Sequence, residues 1–186
     1  MNKPFIGKKI AILVANGFNE QDLTLTQRSL QSKGANTRII GMDNGLVNSW
    51  TGDAWGHHFA SDQVLSTALA ADFSMLVVPG GRRSVEKLKL TAHTRRFIGG
   101  FMDAGKPVAI FDDALDLMVF AEKVDGVAVA GPESMKDMIE EKGGIFSVSD
   151  SEISGNLISG YRDNVQDYVD EIIAHFSGDN DMKEAA

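Results

Sequence analysis

Lys106-Pro107-Val108-Ala109-Ile110-Phe111-Asp112-Asp113-Ala114-Leu115-Asp116-Leu117-Met118 is the stretch that decides the fold. Val108 to Phe111 is a short unbroken apolar run, as a strand buried on both faces requires. The polar pair Asp112-Asp113 then breaks the run, and Ala114 to Glu122 carries helix formers. A buried strand, a sharp turn and a helix make the elbow on which a nucleophile is presented in many α/β enzymes. Here the turn holds two carboxylates, and the chain contains no cysteine at all.

The same alternation extends outward in both directions. Lys9 to Ala15 and Phe73 to Val78 are apolar runs ending in Asn16-Gly17-Phe18-Asn19 and Pro79-Gly80-Gly81. Thr37 to Gly41, Val127 to Ala130, Ile145 to Ser149 and Asn156 to Gly160 read as further strands. Helical patterns cover Glu20 to Lys33 (Leu23, Leu25, Leu30), Thr91 to Ala104 and Asp163 to Phe176. Another starts at Gly131-Pro132, with proline at a first-turn position where its missing N–H costs nothing, and ends at Gly143-Gly144. Residues 42–62 read as loop with short strands, broken by Gly45, Gly52 and Gly56. Strands alternating with helices predict a flavodoxin-like three-layer α/β/α sandwich around a mainly parallel sheet. The expected organisation is one domain over residues 1–178 and a polar tail over 179–186.

Composition narrows the function. A length of 186 residues, 43% of them hydrophobic, suits one ordinary globular domain. The net charge of −8, from 26 acids and 18 bases, argues against nucleic acid as a partner. No apolar segment approaches the ~20 residues of a membrane span, and the N-terminus has no signal-like run, so neither a membrane nor secretion is expected. The absence of cysteine excludes disulfides, thiol catalysis and thiolate metal sites, and fits a cytoplasmic location.

Ligands of such sheets bind outside the carboxyl ends of the strands. Three such ends are marked, by Gly17 with Asn19, by Gly80-Gly81 and by Asp112-Asp113. They are distant in sequence but are expected to converge in space. Gly17, Gly80, Gly81 and Asp112 are therefore the expected ligand-binding positions.

At these turns the chain resembles the ThiJ/PfpI superfamily, within the class I glutamine amidotransferase-like fold. The likeness rests on Lys9 to Phe18 with Asp22-Leu23, on Leu76-Val-Val-Pro-Gly-Gly81 and on Gly105-Lys-Pro-Val-Ala109. It continues through Gly131-Pro132 with Asp137-Met-Ile139 and Gly155-Asn-Leu-Ile-Ser159. Active members of the family carry Ala-Ile-Cys-His-Gly at the elbow. The resemblance puts the cysteine on Asp112, the histidine on Asp113 and the glycine on Ala114. The acid that tunes the thiolate falls on Asn19, with Glu20 adjacent, and the oxyanion donors fall near Gly80-Gly81. A partner-subunit Glu of the protease-like branch would match Glu86 only with a one-residue insertion. Asp113 to Met118 and Tyr168 to Phe176 are similar to the cysteine-free C-terminal domain of large-subunit catalases. The resemblance implies loss of the family's peptidase, glyoxalase and deglycase chemistry, and a homodimer.

Three functions follow as expectations. The first is a pseudo-enzyme binding a small ligand or protein partner. The second is a hydrolase or lyase with a site rebuilt from Asp112, Asp113 and Glu20. The third is an oligomerisation module. For the carboxylate pair, the structural expectation is that Asp113 caps the helix from Ala114, with Asp116 at its third position. The chemical alternatives are an aspartate nucleophile, which needs a second base, or a divalent cation held with Glu20. No cofactor or metal site is expected. His57-His58 point to opposite faces of an extended chain, and His93 and His175 lie alone on helices. Trp50 and Trp55 are assigned to a pocket mouth or an interface, and Met102, Met118, Met135 and Met138 to the core.

Overall fold

A computed structural model describes residues 2–178, so the tail over 179–186 lies outside the described residues. In chain order the elements are β1 (Lys9–Leu13), β2 (Phe18–Asn19), α1 (Glu20–Ser32), β3 (Asn36–Gly41), β4 (Leu46–Trp50), β5 (Trp55–Ala60) and β6 (Gln63–Val64). They continue with β7 (Met75–Val78), α2 (Arg82–Leu88), α3 (Ala92–Asp103), β8 (Val108–Phe111), α4 (Leu115–Phe120), β9 (Ala128–Val129) and α5 (Lys136–Glu141). The last are β10 (Ile145–Phe146), β11 (Ser151–Ser154), β12 (Leu157–Gly160) and α6 (Val165–Phe176).

The central sheet runs β11-β12-β8-β7-β1-β3-β6. Every neighbouring pair is parallel except β11 with β12, which closes one edge antiparallel. Helices cover both faces, as the continuous apolar strands demand. Along β1 and its extension, Ile10, Ile12 and Val14 face one core while Ala11, Leu13 and Ala15 face the other. The first core is closed by Leu23 and Leu30 of α1 and by Tyr168, Val169 and Ile172 of α6. The second is closed by Phe97 and Phe101 of α3 and by Leu117 and Met118 of α4. The parallel α/β expectation is met. Met118 and Met135 are buried, and Met102 and Met138 pack half-buried against the same core.

Some local readings are extended and others corrected. The segment after Gly81 forms a further helix, α2, which buries Ser84, Val85 and Leu88. Pro132 stands just before a 3₁₀ turn over Glu133–Met135, and the α-helix starts only at Lys136. Residues 42–62 are loop with short strands as expected, and β4 and β5 within them join β2 in a separate three-stranded sheet. The edge strand β11, too polar to read as a strand, pairs over all four of its residues with β12. Among the described residues no helix is long and apolar enough to cross a membrane.

The strands stay parallel, but the direction in which successive strands are added reverses between β1 and β7. The crossovers from β1 go one way to β3, and those from β7 go the other way to β8 and β12. A crevice is expected at the carboxyl ends of strands flanking such a switch. The turns after β1, β7 and β8 meet there.

Candidate functional site

The elbow after β8 has the strained geometry its position suggests. Asp112 has φ 50°, one of two non-glycine residues in the left-handed region among those described. Aspartate tolerates that region better than most residues, yet holding it still costs about 1–2 kcal/mol. The strand beneath is fixed by Tyr168 of α6. Its hydroxyl donates to the Ile110 carbonyl at 2.7 Å, and its ring stacks edge-on against Phe111 with centroids 4.8 Å apart. Burial holds the Tyr168 phenol neutral by pushing its pKa well above the ordinary value.

Asp113 does not cap its helix. A 3₁₀ turn over Asp112–Ala114 precedes α4, and no side chain caps either segment. The Asp113 carboxylate reaches across the crevice, where its Oδ1 accepts the Gly81 N–H at 2.8 Å. Asp116 is not part of a capping box, since its Oδ2 accepts from Lys89 Nζ at 2.9 Å. The preference of Asp for an N-cap loses here to an unpaired backbone amide, which a buried site must satisfy.

The neighbouring amide is engaged in the same way. Gly80 N–H donates to Asp22 Oδ2 at 2.9 Å, and Asn19 Nδ2 approaches the same oxygen at 3.4 Å. Asp22 is 5% exposed, on the face of α1 that also buries Leu23, Thr26 and Leu30. The sequence reading passed over Asp22 as a site residue and placed the tuning acid at Asn19 or Glu20. The signal available was an acid four residues before Thr26 and eight before Leu30, on the helix's buried stripe. Gly80 and Gly81 cannot be replaced by larger residues. A Cβ on Gly81, at φ 120°, would stand 2.5 Å from the Gly17 carbonyl, and one on Gly80 would stand 2.9 Å from Asp113 Oδ1.

Three carboxyls thus crowd one crevice, where the Arg82 guanidinium opposes the rise at Asp113. Burial pushes the Asp22 pKa up to about 7, against the lowering effect of its bonds to Gly80 and Asn19, with the charges of Asp112 and Asp113 adding to the rise. Burial, then the Asp113 charge, pushes Asp112 up to about 6. Burial also raises Asp113, and the Gly81 bond opposes it. The Asp112 and Asp113 charges act on Asp22, and the Asp113 charge acts on Asp112, so the three titrations are coupled.

Two cavities open on either side of Asp112. The first, of about 400 Å³, is lined by Asn19, Glu20, Asp22, Trp50, Asp112 and Tyr161 among others. The second, of about 680 Å³, is lined by Asp113, Glu86, Glu133 and Met138, and shares Asp112 and Tyr161 with the first. Gly17, Gly80 and Gly81 line neither; they shape the frame beneath. Gly17 is needed because a Cβ there would stand 2.3 Å from Arg83 Cβ. The Arg83 guanidinium lies 4.0 Å over the Trp50 ring, and Trp50 and Trp55 meet edge-to-face at 5.4 Å. Glu20 pairs with His57 of the β4–β5 hairpin, bringing one histidine to the rim of the first cavity. His58 is exposed, and His93 and His175 lie on α3 and α6. Asp112, Asp113 and Glu20 do not converge on a cation: among the described residues no three acidic or histidine side chains are grouped to hold a metal ion.

Comparison with known proteins agrees with the fold. A family model described as the DJ-1/PfpI family matches residues 8–175. The Bacillus subtilis protein YraA, whose name contains the words "cysteine protease", is 23% identical over 154 residues, covering 83% of this chain and 89% of that one. A ThiJ/PfpI domain protein from Brachyspira murdochii superposes with TM-score 0.82 at 15% identity, covering 94% of this chain and 98% of that one. A two-domain protein from Anabaena variabilis, with DJ-1/ThiJ/PfpI-like and ferritin-like domains, gives TM-score 0.82 at 20% identity. The chain covers 91% of itself and 48% of that longer protein. At these identities the superpositions show the fold alone.

Proposed function

The chain belongs to the DJ-1/PfpI family, and from that premise we propose that it is a binding protein, a pseudo-enzyme whose crevice takes a small ligand or a partner without thiol chemistry. One observation carries this reading. The Gly80 and Gly81 amides, the donors an oxyanion would need, are both occupied by the chain's own carboxyls, Asp22 and Asp113. Oxyanion stabilisation depends on donors already aimed at the place where charge develops, and losing one such donor costs ~10²–10³ in rate. An anionic intermediate here would have to displace two bonded carboxyls and then sit beside them. The elbow has no thiol to start the reaction in any case.

A carboxylate-based hydrolase or lyase is the second reading, favoured by the left-handed Asp112 and its raised pKa. Perturbed carboxyls in a cleft mark candidate acids and bases. An ester formed on Asp112 would still need a base to release it, and the histidine at the rim, His57, is tied to Glu20 and is not among the residues lining either cavity. The deciding experiment is a hydrolase, glyoxalase and deglycase screen of wild type beside Asp112→Asn. The binding reading expects no turnover from either. Turnover that Asp112→Asn abolishes would replace it with the second reading. The same proposal has the chain as a homodimer, which light scattering at micromolar concentration tests; a monomer there refutes that part.

A further inference from the structure

Asparagine followed by glycine occurs twice in the chain, at Asn16-Gly17 and at Asn44-Gly45, and the fold treats the two pairs in opposite ways. In such a pair the glycine nitrogen can attack the side-chain amide carbon of the asparagine. A new N–C bond closes a five-membered succinimide and the bond to the amide nitrogen breaks. Ammonia leaves, carrying the proton given up by the glycine nitrogen. Water then opens the ring at one carbonyl or the other, giving aspartate, or isoaspartate with the main chain rerouted through the side-chain carbon. Water is the only co-reactant. Glycine favours ring closure because it has no side chain to block the approach and allows a wide range of backbone angles. The reaction still needs a side-chain amide free to turn, an N–H free to attack and room for both.

At Asn16-Gly17 all three are denied. Asn16 Oδ1 accepts the Asn48 N–H at 2.9 Å, and the Gly17 N–H donates to the Asn48 carbonyl at 2.8 Å. One residue of β4 thus holds both reacting groups. Gly17 is buried, with the Arg83 side chain packed against its Cα. Asn44-Gly45 lies in the turn between β3 and β4, and both residues are exposed. Among the described residues no hydrogen bond holds the Asn44 side chain or the Gly45 N–H. Gly45 has φ 105°, and nothing stands within 4 Å of the place a Cβ would take. The Gly45 carbonyl accepts the Ser61 N–H at 2.8 Å, so the chain is anchored just beyond the reacting bond and open before it.

We infer that Asn44 is a site of spontaneous deamidation, converting to aspartate and isoaspartate, and that the paired bonds to Asn48 shield Asn16 from the same reaction. Each event adds one negative charge at the β3–β4 turn, and the isoaspartyl product also adds a carbon to the main chain ahead of β4. The inference is independent of how the crevice is used. To test it, the full chain is held at mildly alkaline pH and sampled over days, with melting curves confirming that it stays folded. Samples are digested at mildly acidic pH and the peptides mapped by mass, fragmentation assigning the residue. An isoaspartyl methyltransferase with a labelled methyl donor counts the isoaspartate.

Asn44 is expected to convert progressively, and Asn44→Gln to abolish the methyl-accepting product. Asn16 should convert about tenfold more slowly or less, because ring closure there must first break a buried hydrogen bond. The same chain in urea, where Asn48 no longer holds Asn16, should convert both at comparable rates. An Asn44 still intact in the folded chain when the urea sample has converted would overturn the inference. So would conversion of Asn16 at the Asn44 rate in the folded chain. Slow conversion of Asn16 in urea as well would mean that its neighbours in sequence protect it, and would overturn the shielding by Asn48.

Discussion

Replacing Asp22 by asparagine should change how stability depends on pH, and the size of the change follows from burial. The Asp22 pKa is about 7 in the folded chain, against 3.8 for an unperturbed carboxyl. The folded state therefore holds a proton that the unfolded state releases between those values. The sign is that of a raised pKa: the stabilising contribution is complete below pH ~4 and is lost as pH rises through ~7. About three pH units at 1.36 kcal/mol each give a loss of about 4 kcal/mol across that window. Asparagine keeps an acceptor for the Gly80 amide but does not titrate. Wild type should lose stability steadily from pH 4.5 to 8, while Asp22→Asn stays flatter and becomes the more stable protein at pH 8. Urea unfolding at a series of pH values, with constant slope against denaturant, measures this; in a chain of this size the crossover should also separate melting temperatures by about 10 °C. Parallel pH profiles for the two proteins would refute the account of Asp22 as a buried, proton-holding carboxyl. The less buried Asp112 adds a contribution of the same sign, reduced by solvent screening.

Other perturbations probe the frame around it. Tyr168→Phe leaves the Ile110 carbonyl without its partner and should cost about 1–3 kcal/mol in urea unfolding; a cost under a few tenths would mean the elbow does not depend on that bond. Gly81→Ala combines φ 120° with a contact of 2.5 Å to a backbone carbonyl, so it should destabilise by about 3 kcal/mol or more, whereas Gly105→Ala, at φ 66° with open space around it, should cost about 1 kcal/mol. Equal melting temperatures for those two variants would contradict the close packing of the crevice. Arg83→Ala removes the cation over Trp50 and should cost about 0.5–1 kcal/mol with a change in tryptophan emission; an unchanged spectrum would place the guanidinium elsewhere in solution.

The layers of the fold were legible because their signals are local. Val108 to Phe111 and Phe73 to Val78 are too apolar and too short to be anything but strands buried on both faces. The elements that escaped lack such signals. Strand β11 is Ser-Glu-Ile-Ser, and its strand character comes from the edge of β12, not from its own composition. The site divides in the same way. Asp112 was readable as the residue at the elbow, because the strand and helix around it are both marked. The destinations of Asp113 and Asp22 were not, since each is fixed by an amide more than thirty positions away in sequence. Local preference put Asp113 on its own helix, and a long-range donor outbid it. Thr26, whose buried hydroxyl has no partner among the described residues, shows the same limit from the other side: nothing in the sequence or the fold accounts for it.

The occupied amides also bear on the chain's evolutionary freedom. A cysteine introduced at position 112 would not by itself make a thiol enzyme. Its sulfur would face Asp113 and Asp22, whose charges raise a thiol's pKa when a nucleophile needs it lowered. The backbone donors would still be bonded to those same carboxyls. Thiol chemistry at this elbow would therefore need several changes together, at 112, at 113 and on α1. The crevice is committed to its own acids: each of the two amides is held by a different carboxyl, so no single substitution frees both.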